Sequence, residues 1–245
     1  MSGAARDLDA VVLGHVDYGE RDRIVRLLTP ELGRIAVLAR GARASRHRFA
    51  GALDLGNRIQ AQVAPGREDL WALREATLVE GRLHAREDLV LLALATYGCE
   101  LVGGLAQEER PERRLFGLLE VFLTVLDGLV EAPSSLFRMG LEIKALTLAG
   151  IAPVLDRCAR CGGGLETGAV FSASAGGAVH VECGTGEVVT PEFLAALESA
   201  RRTRLMELVD RRPPPGPAWC LASFAEHHLC RGLRSRAWVV SVGGA

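Results

Sequence analysis

The sequence predicts an α+β, multidomain chain: a five-stranded barrel, then a helical domain that carries a metal-binding insertion. Three observations predict it. Five short apolar runs separated by turn residues fill the first 80 positions. From about residue 81 the spacing of apolar residues becomes helical and stays so for several turns. Between two helical stretches stands Cys158-Ala-Arg-Cys161 … His180-Val-Glu-Cys183, two ligand pairs separated by eighteen residues. The predicted limits are 1–80 for the barrel, 81–155 and 189–245 for the two parts of the helical domain, and 156–188 for the insertion.

The strands follow in order. Leu8–His15 alternates in part around Val11-Val12-Leu13, and Arg23–Leu28 is apolar at 24, 25, 27 and 28. Thr29-Pro30-Glu31-Leu32-Gly33 reads as a turn, with proline set for its second position and glycine for its end. Ile35–Ala39 is a third run. Arg58–Val63 alternates cleanly, with Ile59, Ala61 and Val63 on one face and Arg58, Gln60 and Gln62 on the other. Pro65-Gly66 breaks it and Trp71–Val79 restarts it. Five short strands in so few residues fit a small closed barrel.

Helices are predicted over Leu89–Gly104 and Arg114–Val130, joined by a charged connection in which Pro111 marks a helix start. A third is predicted over Ser134–Gly150, with Phe137, Leu141, Ala145 and Leu148 in one stripe. A fourth is predicted over Pro191–Leu208, with Thr190 as N-cap and Pro191 at the first helical position. Arg211-Arg212-Pro213-Pro214-Pro215-Gly216-Pro217 reads as a stiff loop. A fifth helix is expected over Trp219–Leu233, and Trp238–Val242 as a short apolar tail.

Cysteine and histidine are ligands zinc prefers, and a two-residue gap lets one turn aim both side chains at one ion. Four filled positions (Cys158, Cys161, His180 and Cys183) imply a closed structural site, with one zinc per chain. Glycines after each pair let the backbone fold tightly round a metal. A redox dithiol at Cys158/Cys161 is the rival reading, that of a thiol oxidoreductase, with Arg157 and Arg160 beside it to lower a thiol pKa. Such a pair normally opens a helix after a strand. Here Pro153 precedes it and glycines follow, which favours a metal knuckle. His227 and Cys230 repeat the spacing without a second pair and are read as a decoy. Cys99, Cys220 and Cys230 are expected to be buried as small hydrophobes.

Composition excludes several classes. Formal net charge is −1, so no global field announces a nucleic-acid partner. Lys144 is the only lysine among 29 basic residues. No uncharged apolar stretch of membrane-spanning length occurs, and the N-terminal residues lack the apolar core of a secretory signal. The expectation is a cytoplasmic protein with reduced or metal-bound thiols. There is no phosphate loop, no HExxH and no nucleophile elbow, so no enzyme is predicted.

The distribution of charge says more than its sum. From Leu32 to Leu53 no acid occurs, while Arg34, Arg40, Arg43, Arg46 and Arg48 do, with His47 among them. A segregated basic cluster is what phosphate binding needs. Tyr18, Phe49 and Trp71 are the only aromatics of the first 80 residues; Phe49, beside Arg46 and Arg48, is the best stacking candidate, though a place in the barrel-rim core is the favoured reading for it, and Trp71 reads as core. Arg201, Arg202 and Arg204 on the fourth predicted helix, and Arg231, Arg234 and Arg236 after Glu226, would extend a DNA track or take an acidic peptide. A pure interaction scaffold, binding an acidic protein through the basic window, is a third class.

These segments together resemble the bacterial recombination mediator family RecO. Tyr18-Gly19-Glu20-Arg21-Asp22-Arg23-Ile24-Val25 with Leu28-Thr29-Pro30-Glu31-Leu32-Gly33 is similar to its N-terminal block, and Ala39-Arg40-Gly41-Ala42-Arg43 to its basic continuation. Leu148-Ala149-Gly150-Ile151-Ala152-Pro153-Val154-Leu155-Asp156-Arg157-Cys158-Ala159-Arg160-Cys161-Gly162 is similar to its most recognisable segment, which Phe171-Ser172 and Gly176-Gly177-Ala178-Val179 complete. Zinc-bearing members carry a cysteine where this chain has His180, so the expected set is three cysteines and a histidine. The resemblance implies an N-terminal OB-fold, a helical domain and a zinc module. It implies binding of single- and double-stranded DNA, strand annealing and assistance to RecA loading, in a nucleoid-associated protein. It also implies partnership with RecR and with the acidic C-terminal tail of single-strand DNA-binding protein. From the residues, Arg34, Arg40, Arg43, Arg46, Arg48, Arg201 and Arg202 are the expected DNA contacts.

Overall fold

In the computed structural model of the chain, residues 5–45, 48, 49, 51–66, 70–165 and 168–244 are described. Two compact units divide between Gly128 and Leu129.

The first unit opens with five strands: β1 (Arg6–Tyr18), β2 (Asp22–Thr29), β3 (Gly33–Ala39), β4 (Arg58–Ala64) and β5 (Trp71–Glu80). They close in the order β1-β2-β3-β5-β4, with β4 pairing back onto β1 and only β3–β5 parallel. That connectivity is the OB-type barrel. Alternation fills its interior: Ile59, Ala61 and Val63 on β4 and Ile35, Val37 and Ala39 on β3 are buried there. β1 alternates less clearly because its middle is covered on both faces. Val11 and Leu13 are buried along with Ala10 and Val12. The helix over Leu89–Leu105 explains this, for a Cβ on its Gly103 would stand 2.7 Å from Leu13 Cδ1.

The turn after β2 is held by Thr29, whose Oγ1 donates to Gly33 O at 3.2 Å and accepts Leu32 N–H at 3.0 Å. Three helices follow in this unit: α1 (His84–Glu87), α2 (Leu89–Leu105) and α3 (Arg113–Asp127). Asp88 caps α2 by accepting the amides of Val90 and Leu91 at 2.8 and 2.9 Å. Periodicity gave no sign of α1, which is a single turn. Arg82, 2% exposed, ties the barrel to α3 through Glu80 and Glu120, the latter at 3.1 Å.

The second unit begins with α4 (Ser135–Leu148) and continues into a three-stranded sheet of order β7-β6-β8, made of β6 (Ala169–Ser172), β7 (Gly177–His180) and β8 (Glu187–Val189). No strand is predicted here, because β6 is buried at all four positions and shows no alternation. Then come α5 (Pro191–Arg202), a 3₁₀ turn (Leu205–Leu208), α6 (Cys220–Leu229) and α7 (Arg234–Ser241). Thr190 caps α5 by accepting Phe193 N–H at 3.2 Å, as the sequence predicts.

Several helix limits differ from expectation: the helix predicted to Val130 stops at Asp127 and the one predicted to Gly150 stops at Leu148. The helix predicted to Leu208 stops at Arg202, because Thr203 turns extended and its side chain bonds back to Ser199 O. The helix predicted to Leu233 stops at Leu229, where Cys230 is left-handed with φ 51°. Trp238–Val242, expected as a tail, lies largely within α7. Cys99 and Cys220 are buried as expected, and burial pushes the Cys99 thiol up to about 12, whereas Cys230 is exposed.

Candidate metal centre and nucleic-acid interface

Cys158 and Cys161 stand on a tight turn ahead of β6, His180 ends β7, and Cys183 lies in the turn beyond it. The sheet register therefore decides whether the four residues meet, and Ala169 pairs with His180 across β6–β7. One ligand atom from each lies within 4.8 Å of all the others. Cys161 Sγ is 3.3 Å and Cys183 Sγ 3.9 Å from His180 Nδ1. Tetrahedral zinc with bonds of about 2.0–2.3 Å needs donors roughly 3.3–3.8 Å apart. The separations reach up to about 1 Å beyond that spacing, so a small closure would bring all four donors onto one ion, and this donor set suits zinc.

Backbone bonds shape both knuckles. Cys158 N–H donates to Gly163 O at 2.7 Å, Gly162 N–H to Cys158 O at 2.9 Å, and Cys183 N–H to His180 O at 2.9 Å. His180 Nε2 lies 2.5 Å from Gly164 O. A carbonyl only accepts, so Nε2 carries the proton and Nδ1 offers its lone pair to the cluster.

The electrostatics call for a cation. Burial opposes ionisation of Cys158, but the amides of Cys161, His180 and Arg160 hold its thiol down at about 6. Burial and the neighbouring Cys158 and Cys161 thiols push Cys183 up to about 11. One thiolate is welcome and the next is resisted, a conflict that a divalent ion removes. The same facts disfavour redox work. The readily ionised Cys158 is 1% exposed, the exposed partner is Cys161, and no helix follows the pair. Among the described residues this is the one such ligand group, and His227 and Cys230 do not join it.

The basic residues meet different fates. Arg34, on β3, is engaged: Nη1 donates to Gly103 O at 2.9 Å and Nη2 pairs with Glu108 at 2.8 Å. Arg40 is exposed, with no side-chain partner among the described residues. Arg43 is exposed, donates to Gly19 O at 3.3 Å and lies 3.6 Å from Asp17. Arg48 is exposed, donates to Arg40 O at 2.7 Å and covers the Phe49 ring at 5.0 Å. Arg46 and His47 lie outside the described residues. Phe49 is 3% exposed and belongs to the barrel core, the favoured of its two sequence readings, and so is no stacking platform.

On α5, Arg201 bonds Pro153 O at 2.9 Å and pairs with Glu198 at 3.2 Å, fastening the helix to the segment before the metal knuckle. Arg202 pairs with Glu198 at 2.9 Å but is 80% exposed. Arg204, off the helix, is exposed, and Arg236 is taken by Glu226 at 2.8 Å. Arg21, which the charge pattern does not single out, is exposed in the β1–β2 turn, and its carbonyl accepts Arg43 N–H at 3.1 Å. Its position in the first barrel loop was the available signal.

An OB-type barrel with helices and a four-ligand Cys/His module defines the class of protein. Residues 4–82 match the family described as Recombination protein O N terminal, and residues 86–237 match Recombination protein O C terminal. The DNA repair protein RecO of Myxococcus xanthus is 39% identical over 244 residues, covering 97% of this chain and 98% of its own. That of Anaeromyxobacter dehalogenans is 40% identical over 247 residues, covering 96% of each. That of Syntrophotalea carbinolica is 42% identical over 197 residues, covering 79% of this chain and 75% of its own. The chain belongs to the RecO family.

Proposed function

We propose that this chain is a DNA-binding mediator of recombinational repair with no catalytic centre of its own. The observation that carries the proposal is full-length similarity, through both family regions, to proteins named DNA repair protein RecO. In this reading the barrel holds phosphates through Arg40, Arg43 and Arg48, and Arg46 of the same sequence segment is proposed with them. Arg34 serves first as the strut between β3 and the loop after α2. Neutralising the backbones of two single strands lets base pairing proceed, which is annealing without chemistry. Delivery to RecA, with RecR and the acidic tail of single-strand DNA-binding protein as partners, belongs to the same proposal. So does a nucleoid-associated, cytoplasmic location; no helix among the described residues is long and apolar enough to cross a membrane.

One zinc per chain, held by Cys158, Cys161, His180 and Cys183, would be structural. It would staple a segment of three short strands, too small to build a core of its own. The functional segments are the barrel at 1–80, the helices at 81–155 and 189–245, and the metal insertion at 156–188. Exposed Arg202 and Arg204 are the second candidate contact, and Arg201 acts there through its bond to Pro153.

The test is fluorescence anisotropy with single- and double-stranded oligonucleotides. Arg40→Glu with Arg43→Glu should weaken binding to both by at least about tenfold, since two favourable contacts become repulsive. Unchanged affinity would refute the assignment of this surface. An acidic peptide that displaces DNA from the unaltered chain, with DNA itself binding only feebly, would favour the scaffold reading.

A further inference from the structure

Three aromatic side chains belong to the barrel segment, and the structure separates them by accessibility. Phe49 is core, and Trp71 is half-buried with its indole N–H donated to Glu109 at 3.1 Å. Tyr18 is 55% exposed, and its hydroxyl has no hydrogen-bond partner among the described residues. It ends β1, opposite Asp22, where the β1–β2 hairpin turns. Val16, two residues earlier and so on the same face, is 56% exposed and extends the apolar surface.

This hairpin tip is fastened to the basic segment. Arg43 N–H donates to Arg21 O at 3.1 Å, Arg43 Nη1 to Gly19 O at 3.3 Å, and Gly41 N–H to Asp22 Oδ1 at 2.8 Å. Of the nearby acids, Asp17 is matched by Arg23 and Arg43 and Asp22 by the Gly41 amide, while Glu20 in the turn itself is exposed and has no partner among the described residues. Arg43 is thereby fixed against the residue next to Tyr18, with Arg21 two residues further along the turn. An aromatic ring in water beside one fixed cation, Arg43, and a second exposed cation, Arg21, on the first loop of an OB-type barrel, combines the two parts of a single-strand site.

We propose that Tyr18 is the platform on which a base of single-stranded DNA stacks while Arg43 and Arg21 hold the flanking phosphates. This rests on the DNA-binding reading and adds strand discrimination to it. A duplex hides its base faces in the stack, so the ring works only on an unpaired strand. The basic cluster alone would treat both forms alike.

The experiment compares anisotropy titrations of an oligothymidylate, an abasic strand of equal length and a duplex. Tyr18→Ala should lose about 5- to 100-fold affinity for oligothymidylate, the range of one stacked base. Duplex and abasic binding should change by less than about twofold, because phosphate contacts remain. Tyr18→Phe and Tyr18→Trp should keep wild-type affinity. Equal losses on strand and duplex would mean a damaged hairpin, and no loss at all would mean an idle ring; either overturns the proposal. Should Tyr18→Ala fail to fold, the unaltered chain decides: it must prefer oligothymidylate to the abasic strand, and equal affinity overturns the proposal. If the unaltered chain binds no DNA even at low salt, the DNA reading falls first and this inference with it.

Discussion

His180 commits both nitrogens of one ring, Nε2–H to the Gly164 carbonyl and Nδ1 to the thiols of Cys161 and Cys183. A cysteine at this position would supply a shorter, charged ligand on the same strand end, and alanine would supply none. We expect His180→Cys to keep one zinc per chain and His180→Ala to lower metal affinity by more than about tenfold. Metal analysis of chelator-free protein and the absorption of the cobalt-substituted chain measure both. Zinc content indifferent to His180→Ala would remove this residue from the ligand set. The residue scale also separates positions that look alike in sequence. Arg34 and Arg40 stand six residues apart in the same acid-free window, yet the first bonds a carbonyl of α2 and the second faces water. Spacing predicts the cluster, and only tertiary contacts divide struts from free cations.

At the scale of elements, the barrel was legible because its signals are local. Period-two alternation marks β3 and β4, and the turn chemistry of Thr29–Gly33 marks where β2 reverses. The metal ligands were legible because zinc knuckles have a fixed spacing. The sheet between them was not: β6 is covered on both faces, and β7 and β8 are too short to show a period. The end of α5 was misread because Leu205 and Leu208 keep a helical spacing after the helix has stopped at Arg202. Gly33 shows the same division. Its turn could be read from sequence, but the reason only glycine fits could not. It has φ +61°, and a Cβ there would meet Arg110 O at 2.3 Å and Gln107 O at 2.5 Å, where the loop after α2 crosses β3. Gly33→Ala therefore combines left-handed strain with a backbone clash. We expect a loss of about 2 kcal/mol or more in urea unfolding. A loss within about 0.5 kcal/mol, the range of an ordinary surface substitution, would show that the loop yields freely.

For the whole molecule, a formal charge of −1 gives DNA no long-range attraction, so binding must come from local clusters. Fields at a solvent-exposed surface fade over about 10 Å at 0.1 M salt, so the acids elsewhere do not cancel the basic segment at contact. Counterion release then counts the cations that take part. Contacts from Arg40, Arg43 and Arg48 alone predict a slope of log affinity against log salt near −2 for a single strand, at about 0.7 per phosphate. Arg21 and Arg46 would take it to about −3.5, so a slope of −4 or steeper would require cations beyond the barrel segment, and exposed Arg202 and Arg204 are the first to examine. Single substitutions to alanine then assign the contacts: each participating arginine should flatten the slope by about 0.7, and a strut such as Arg34 should lower stability while leaving the slope alone. If Arg40→Ala left the slope unchanged, the open cation of the basic segment would not be touching phosphate, and the track would have to be sought on the second unit.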